Sequence, residues 1–268
     1  MTQETEWAVA GHKIDLWLVF YQKVVGERYI ADLRALLNEE EQHQEKRFHF
    51  ADDRRRYLVT RATIRTLLSR YVAAITPTEW VFSTNEYGRP RIANLNEEAR
   101  GLCFNISHTP GLIAVAISRH RVLGVDVENL RARNASIGIA NRFFAAKEIA
   151  ELATLEPERR AERFFEYWTF KEAYIKARSM GLSIPLDQFS FHFLDERSVR
   201  IDIDPQLGDK ASRWCFMQYR PTPEHLLAIC AERLEGDKAA PLLEMRKIMP
   251  MVAEERLEPK LVKCSKCG

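Results

Sequence analysis

This chain has little that would mark it for the outside of a cell. Its five cysteines, Cys103, Cys215, Cys230, Cys264 and Cys267, are scattered and odd in number, which argues against a disulfide framework. The start, Met1 to Trp7, is polar and acidic and lacks the basic stretch of a secretory signal. Apolar runs such as Leu112 to Ile117 are too short to cross a bilayer. The chain therefore reads as soluble and cytoplasmic, with no membrane partner. A large excess of either charge is also missing. The formal net charge is +2 although 29% of residues are charged, so no whole-molecule field points to bulk nucleic-acid binding. No glycine-rich phosphate loop or kinase signature is present, which disfavours nucleotide kinases and nucleotidyl transferases.

What is present is enough apolar material, 46% of 268 residues, for one large domain or two small ones. Ile14 to Tyr21 reads as a strand. Tyr29 to Leu37 and Glu39 to Phe50 read as short helices. Asp52 to Ala73 reads as a longer one, with Leu58, Ala62, Arg65 and Leu68 at helical spacing. A turn-rich loop, Asn85-Glu86-Tyr87-Gly88-Arg89-Pro90, precedes three strand-like segments, Leu102 to Ser107, Leu112 to Ser118 and Val122 to Glu128. Helical pattern then runs from Ser136 to Met180, broken at Pro157 and stopped by Gly181. A second strand-rich stretch follows, from Phe189 to Cys230. Each half passes from helices into antiparallel strands, so an α+β fold of two lobes is expected: residues 13–120, residues 121–233, and a charged, irregular tail over 234–268. Cys264 and Cys267 have the spacing of half a zinc knuckle or a redox pair, but a flexible tail with two free thiols is the preferred reading.

Three motifs carry chemistry. In Gly124-Val125-Asp126-Val127-Glu128, strand alternation sets both carboxylates on one face. An exposed acidic face would explain them, and so would a bridging cation, since like charges held close together are costly. In Trp168-Thr169-Phe170-Lys171-Glu172-Ala173-Tyr174-Ile175-Lys176, about 100° per residue stacks Trp168, Glu172 and Lys176 on one helix face with Lys171 flanking it. A surface ion pair between Glu172 and Lys176 is the plainer alternative. A third carboxylate facing the first two would complete a hard-oxygen set for magnesium, with lysines placed for phosphates. Phe104-Asn105-Ile106-Ser107-His108 places a hydroxyl and an imidazole at a strand end, where turn-capping is their commoner use.

Taken in order, Tyr87-Gly88-Arg89-Pro90, Asn105-Ile106-Ser107-His108, Gly124 to Glu128 and Trp168 to Lys176 resemble the 4′-phosphopantetheinyl transferases of the surfactin-synthetase (Sfp) type, from about residue 14 to about residue 232. The resemblance implies two pseudo-symmetric α+β lobes with the active site in the cleft between them. The implied reaction moves phosphopantetheine from coenzyme A to a serine of an acyl- or peptidyl-carrier protein, with Mg2+ and a monomeric enzyme. The implied metal ligands are Asp126, Glu128 and Glu172. Glu172 is also the implied base, and Lys176 with Lys171 the implied phosphate contacts. Ser107 and His108 match residues near the 3′-phosphate of the coenzyme, within the Asn105 to His108 motif. Tyr87, Gly88 and Arg89 match the loop lining the adenine, and Arg61 a phosphate-binding arginine, with Arg56 a weaker candidate. Some bacterial members carry lysines for the 3′-phosphate where Glu41 and Gln44 stand here. The segment Phe143-Phe144-Ala145-Ala146-Lys147-Glu148-Ile149 resembles the region beside the acceptor site. A relative that binds carriers without turnover is the rival reading.

Overall fold

The computed structural model describes residues 12–131, 137–237 and 239–265; Ser136, Cys267 and the polar start fall outside them. Strand β1 (Lys13–Val19) leads into helices α1 (Glu27–Arg34), α2 (Glu39–Arg47) and α3 (Ala51–Tyr71). A small hairpin of β2 (Phe82–Thr84) and β3 (Pro90–Ile92) occupies the expected loop. It is followed by β4 (Leu102–Thr109), β5 (Leu112–Arg119) and β6 (Leu123–Asn129). The second half holds helices α4 (Ile137–Phe143), α5 (Ala146–Thr154) and α6 (Pro157–Arg178). Then come β7 (Phe189–Phe193), β8 (Ser198–Ile203), β9 (Trp214–Thr222), β10 (His225–Glu232), β11 (Leu242–Met249), β12 (Ala253–Leu257) and β13 (Lys260–Ser265). The helical stretch breaks at Pro157 as expected: α5 ends at Thr154, and Pro157 opens α6 at the position where a missing N–H costs nothing.

Two large sheets organise the molecule, in the orders β12-β11-β1-β5-β4 and β6-β10-β9-β13-β8-β7. They pack face to face because their strands alternate. Ile14, Leu16 and Leu18 of β1 and Leu112, Ala114 and Ala116 of β5 meet Val125, Val127, Leu227 and Ile229 in one shared core. The opposite faces of the sheets carry the helices. Trp17, Val115 and Ile117 pack with Leu58, Ala62 and Leu68 of α3, and Leu226, Ala228 and Phe216 pack with Phe170, Ala173 and Tyr174 of α6. Two α+β lobes result, joined through the inner faces of their sheets.

Helix α6 lies directly on β6. A Cβ added at Gly124 would stand 2.1 Å from Ala173 O and 2.4 Å from Ala177 N, so only glycine lets the helix backbone approach the acidic strand this closely.

The C-terminal segment differs from the irregular tail expected. Strand β11 pairs in parallel with β1, Lys13 opposite Leu242 through Leu18 opposite Lys247. Strand β13 inserts between β9 and β8 of the other sheet, with Cys264 opposite Met217 and Ser198. The segment thus straps both lobes, and Cys264 is a packed strand residue rather than part of a flexible thiol pair. On the way into it, Asp237 accepts from the fully buried Arg121 at 2.7 and 3.1 Å, and that guanidinium holds its carboxyl below the usual carboxylate range.

Candidate active site

Strand β6 presents Asp126 and Glu128 toward α6, and neither is the solvated acidic face that a surface strand would show: they are 4% and 5% exposed. Lys176 Nζ donates to Asp126 Oδ1 at 2.7 Å and to Ser107 Oγ at 2.8 Å, and Ser107 Oγ donates to Asp126 Oδ1 at 2.9 Å. Asp126 Oδ2 is buried and has no hydrogen-bond partner. Two turns earlier on α6, Trp168 Nε1 donates to Glu128 Oε1 at 3.1 Å. Glu172 is half-buried and sits midway between Trp168 and Lys176 on that same helix face.

Two carboxylates and a helix lysine therefore converge with Ser107 of β4. Among the described residues no three His, Cys, Asp or Glu side chains gather into one metal-ligand group, so the expected three-carboxylate set is not assembled as a single cluster. Asp126 with Glu128 still suits magnesium, which takes few protein carboxylates and fills its shell with waters and substrate phosphates. The unpartnered Asp126 Oδ2 is the atom that fits it best, because an orphaned buried carboxylate oxygen is costly without a cation.

Strand β4 contributes more than Ser107. Asn105 Oδ1 accepts from Val125 N at 2.8 Å, and Thr109 Oγ1 accepts from Asn129 N at 3.0 Å. His108 points away from this seam. Packing lowers its pKa, and the cations of Arg56 and Lys176 push the same way, so its imidazole is neutral near pH 7. Arg56 thus stands in the same field as His108, with Asp53 one turn back at 2.7 Å as its ion-pair partner.

Other expected residues are placed elsewhere. Lys171 is fully buried on the far side of α6. Its ammonium meets Glu148 at 2.8 Å, Leu186 O at 2.7 Å and Phe189 O at 2.8 Å. All three donors are used inside the lobe, where the lysine ties α5 to α6 and β7, and a phosphate contact is excluded. Arg61 is held by Glu41, which also accepts from Arg65 at 2.8 Å, and stacks 4.8 Å from the Phe82 ring. Glu41 therefore offsets the charge of the candidate arginine.

The loop of the hairpin is pinned to the end of α6. Asn85 Nδ2 donates to Ser179 O at 2.6 Å, and Arg89 donates to Lys176 O at 2.5 Å and Leu123 O at 2.9 Å. Arg89 thus serves backbone carbonyls of the second lobe. Gly88 adopts φ +80°, which leaves Tyr87 exposed at the loop tip. On the other flank, Phe144 is core, stacked on Phe164 and Trp168, whereas Phe143 is half-buried and edge-on to Trp168.

The sequence that builds these two α+β lobes is matched by known proteins. The profile of the 4′-phosphopantetheinyl transferase superfamily matches residues 122–230, and that of the N-terminal part of 4′-phosphopantetheinyl transferases matches residues 27–120. A 4′-phosphopantetheinyl transferase of Bacillus subtilis is 32% identical over 200 residues, 74% of this chain and 84% of its own length. The transferase Sfp of Bacillus subtilis strain 168 is 30% identical over 74% of this chain and 83% of its own. HetI of Nostoc is 35% identical over 59% and 65%. The chain belongs to the 4′-phosphopantetheinyl transferase superfamily, and it is a transferase of that group. The profile matches end before the strap formed by β11 to β13. No helix among the described residues is long and apolar enough to cross a membrane.

Proposed function

We propose that the protein transfers 4′-phosphopantetheine from coenzyme A to a serine of an apo acyl- or peptidyl-carrier protein, with magnesium, as a cytoplasmic monomer. The observation that carries the reading is Asp126: one oxygen is bound by Lys176 and Ser107, and the other is buried and unpartnered. A magnesium ion held by Asp126 and Glu128 would neutralise the pyrophosphate as a Lewis acid. Glu172, on the helix face that meets β6, takes the proton of the carrier serine. The serine Oγ then bonds to the phosphorus that carries the pantetheine arm, and the bond from that phosphorus to adenosine 3′,5′-bisphosphate breaks. Lys176, which here pairs with Asp126, would turn its ammonium to a phosphate oxygen of the bound coenzyme. Phe143 and the exposed Lys147 flank the acceptor side, where an acidic carrier with an apolar patch would be complemented.

Intact-mass measurement of several apo carriers, incubated with coenzyme A and Mg2+, tests the reaction: one carrier gains the mass of one phosphopantetheine. Carrier binding without any gain in mass would replace this reading with that of a non-catalytic carrier-binding module.

The 3′-phosphate grip falls to Arg56 and His108. Arg56→Ala should lower kcat/KM for coenzyme A about ten- to a hundredfold, matching loss of a charge-assisted contact of roughly 1.5–3 kcal/mol. It should lower kcat/KM for dephospho-coenzyme A little. Arg61→Ala should affect both donors alike, because Glu41 holds it through both Nε and Nη2, whereas Asp53 takes one nitrogen of Arg56. The reverse pattern would return the phosphate to Arg61.

A further inference from the structure

Strand β6 is the edge of its sheet, so alternate residues along it turn their backbone N–H and C=O groups away from β10 and toward the other lobe. Each of these residues is met there by a side chain. Leu123 O accepts from Arg89 at 2.9 Å, Val125 N donates to Asn105 at 2.8 Å, Val127 N donates to Ser107 at 3.2 Å, and Asn129 N donates to Thr109 at 3.0 Å. Asn105, Ser107 and Thr109 are spaced by two along β4, the period at which β6 offers its outward amides. A row of side chains thus stands where a neighbouring strand would supply backbone groups.

The row has a direct bearing on the acidic residues. The amide of Val127 belongs to the peptide plane that follows Asp126, and the amide of Asn129 to the plane that follows Glu128. Holding each plane fixes the spin of the residue before it, and hence the direction of its carboxylate. Thr109 is 3% exposed, so water cannot readily replace it as the acceptor. We propose that this zipper sets the aim of the acidic strand, and that Thr109 is a positioning residue for Glu128. The inference rests on the metal role given above to Asp126 and Glu128, and it adds a residue of the first lobe that touches neither metal nor substrate.

Thr109→Val keeps the shape of the side chain and removes the acceptor; Thr109→Ser keeps the acceptor. Mn2+ titration followed by electron paramagnetic resonance, and hydrogen exchange at the Asn129 amide, report on aim without requiring turnover. Circular dichroism and melting accompany each variant, with Thr109→Ala as a second acceptor deletion. The valine variant should bind Mn2+ about tenfold more weakly, as losses in the outer shell of a metal site do, and exchange Asn129 faster. The serine variant should match wild type on both counts. Wild-type Mn2+ affinity in the valine variant, or equal loss in the serine variant, overturns the proposal. If the wild-type protein binds no Mn2+, the metal reading falls, and exchange at Asn129 alone decides whether the zipper holds the strand.

Discussion

Ending the chain after Glu235 should leave a protein that does not accumulate as a stable folded molecule, whereas a charged, irregular tail over 234–268 would be dispensable. Three losses combine. Strand β1 loses its parallel partner β11, and buried Met245 and Ile248 leave the two cores they fill. Strand β13 is removed from between β9 and β8, which separates the β7–β8 pair from the rest of its sheet. Asp237 is removed from Arg121, whose guanidinium is fully buried. Stranding one partner of a buried pair costs about 3–5 kcal/mol by itself, against a total of roughly 5–15 kcal/mol for a folded domain. Thermal melting and soluble yield measure the outcome. A second truncation, after Glu258, keeps β11, β12 and Asp237 and should melt between the two. If the Glu235 truncation melts like the full chain, the strap is decoration.

Asp126→Asn should separate stability from function. The amide keeps an oxygen for Ser107 and Lys176 but removes the charge from a residue whose second oxygen has no partner. Removing the charge relieves the orphaned buried oxygen, and the Lys176 ammonium it leaves behind is partly exposed and can turn to water, so the two changes largely offset. The melting temperature should therefore stay near that of the parent or rise. Transfer should fall on the order of 100-fold or more, since the magnesium proposed for this site would lose a ligand. Chelator should reduce the parent enzyme to the level of the variant. Turnover near the parent rate in the variant, or in excess chelator, would remove magnesium from the mechanism.

The legible parts of the sequence were those whose partners lie nearby or whose pattern repeats. Strands β4, β5 and β6 follow one another through short turns, and the alternation of Val125 and Val127 against Asp126 and Glu128 is what the fold uses. The helical wheel likewise set Trp168, Glu172 and Lys176 toward β6, and Trp168 and Lys176 bond it there. The wheel gives an angle but no depth. Lys171 lies one residue from Glu172 and so faces the core, where a glutamate far back in the sequence receives it. The pairing of Arg61 with Glu41 could be seen only once Glu41 was known to fold back onto α3. The strap was illegible because charged residues interrupt it. Glu254, Glu255 and Arg256 are exposed on the edge strand β12, a charged rim that discourages edge-to-edge pairing yet reads as a solvated tail. Its pairing partners lie at the other end of the chain.

That last separation has a consequence for how the protein is made. Synthesis delivers β1 long before β11, so the apolar strand Ile14 to Val19 emerges with that edge open until Leu242 can pair with Lys13. Contacts this distant close slowly, and an open apolar edge is where nascent chains stick to one another. Strands β11 and β12 then complete the sheet of the first lobe and β13 that of the second, so the yield of both depends on how quickly the ribosome reaches these strands.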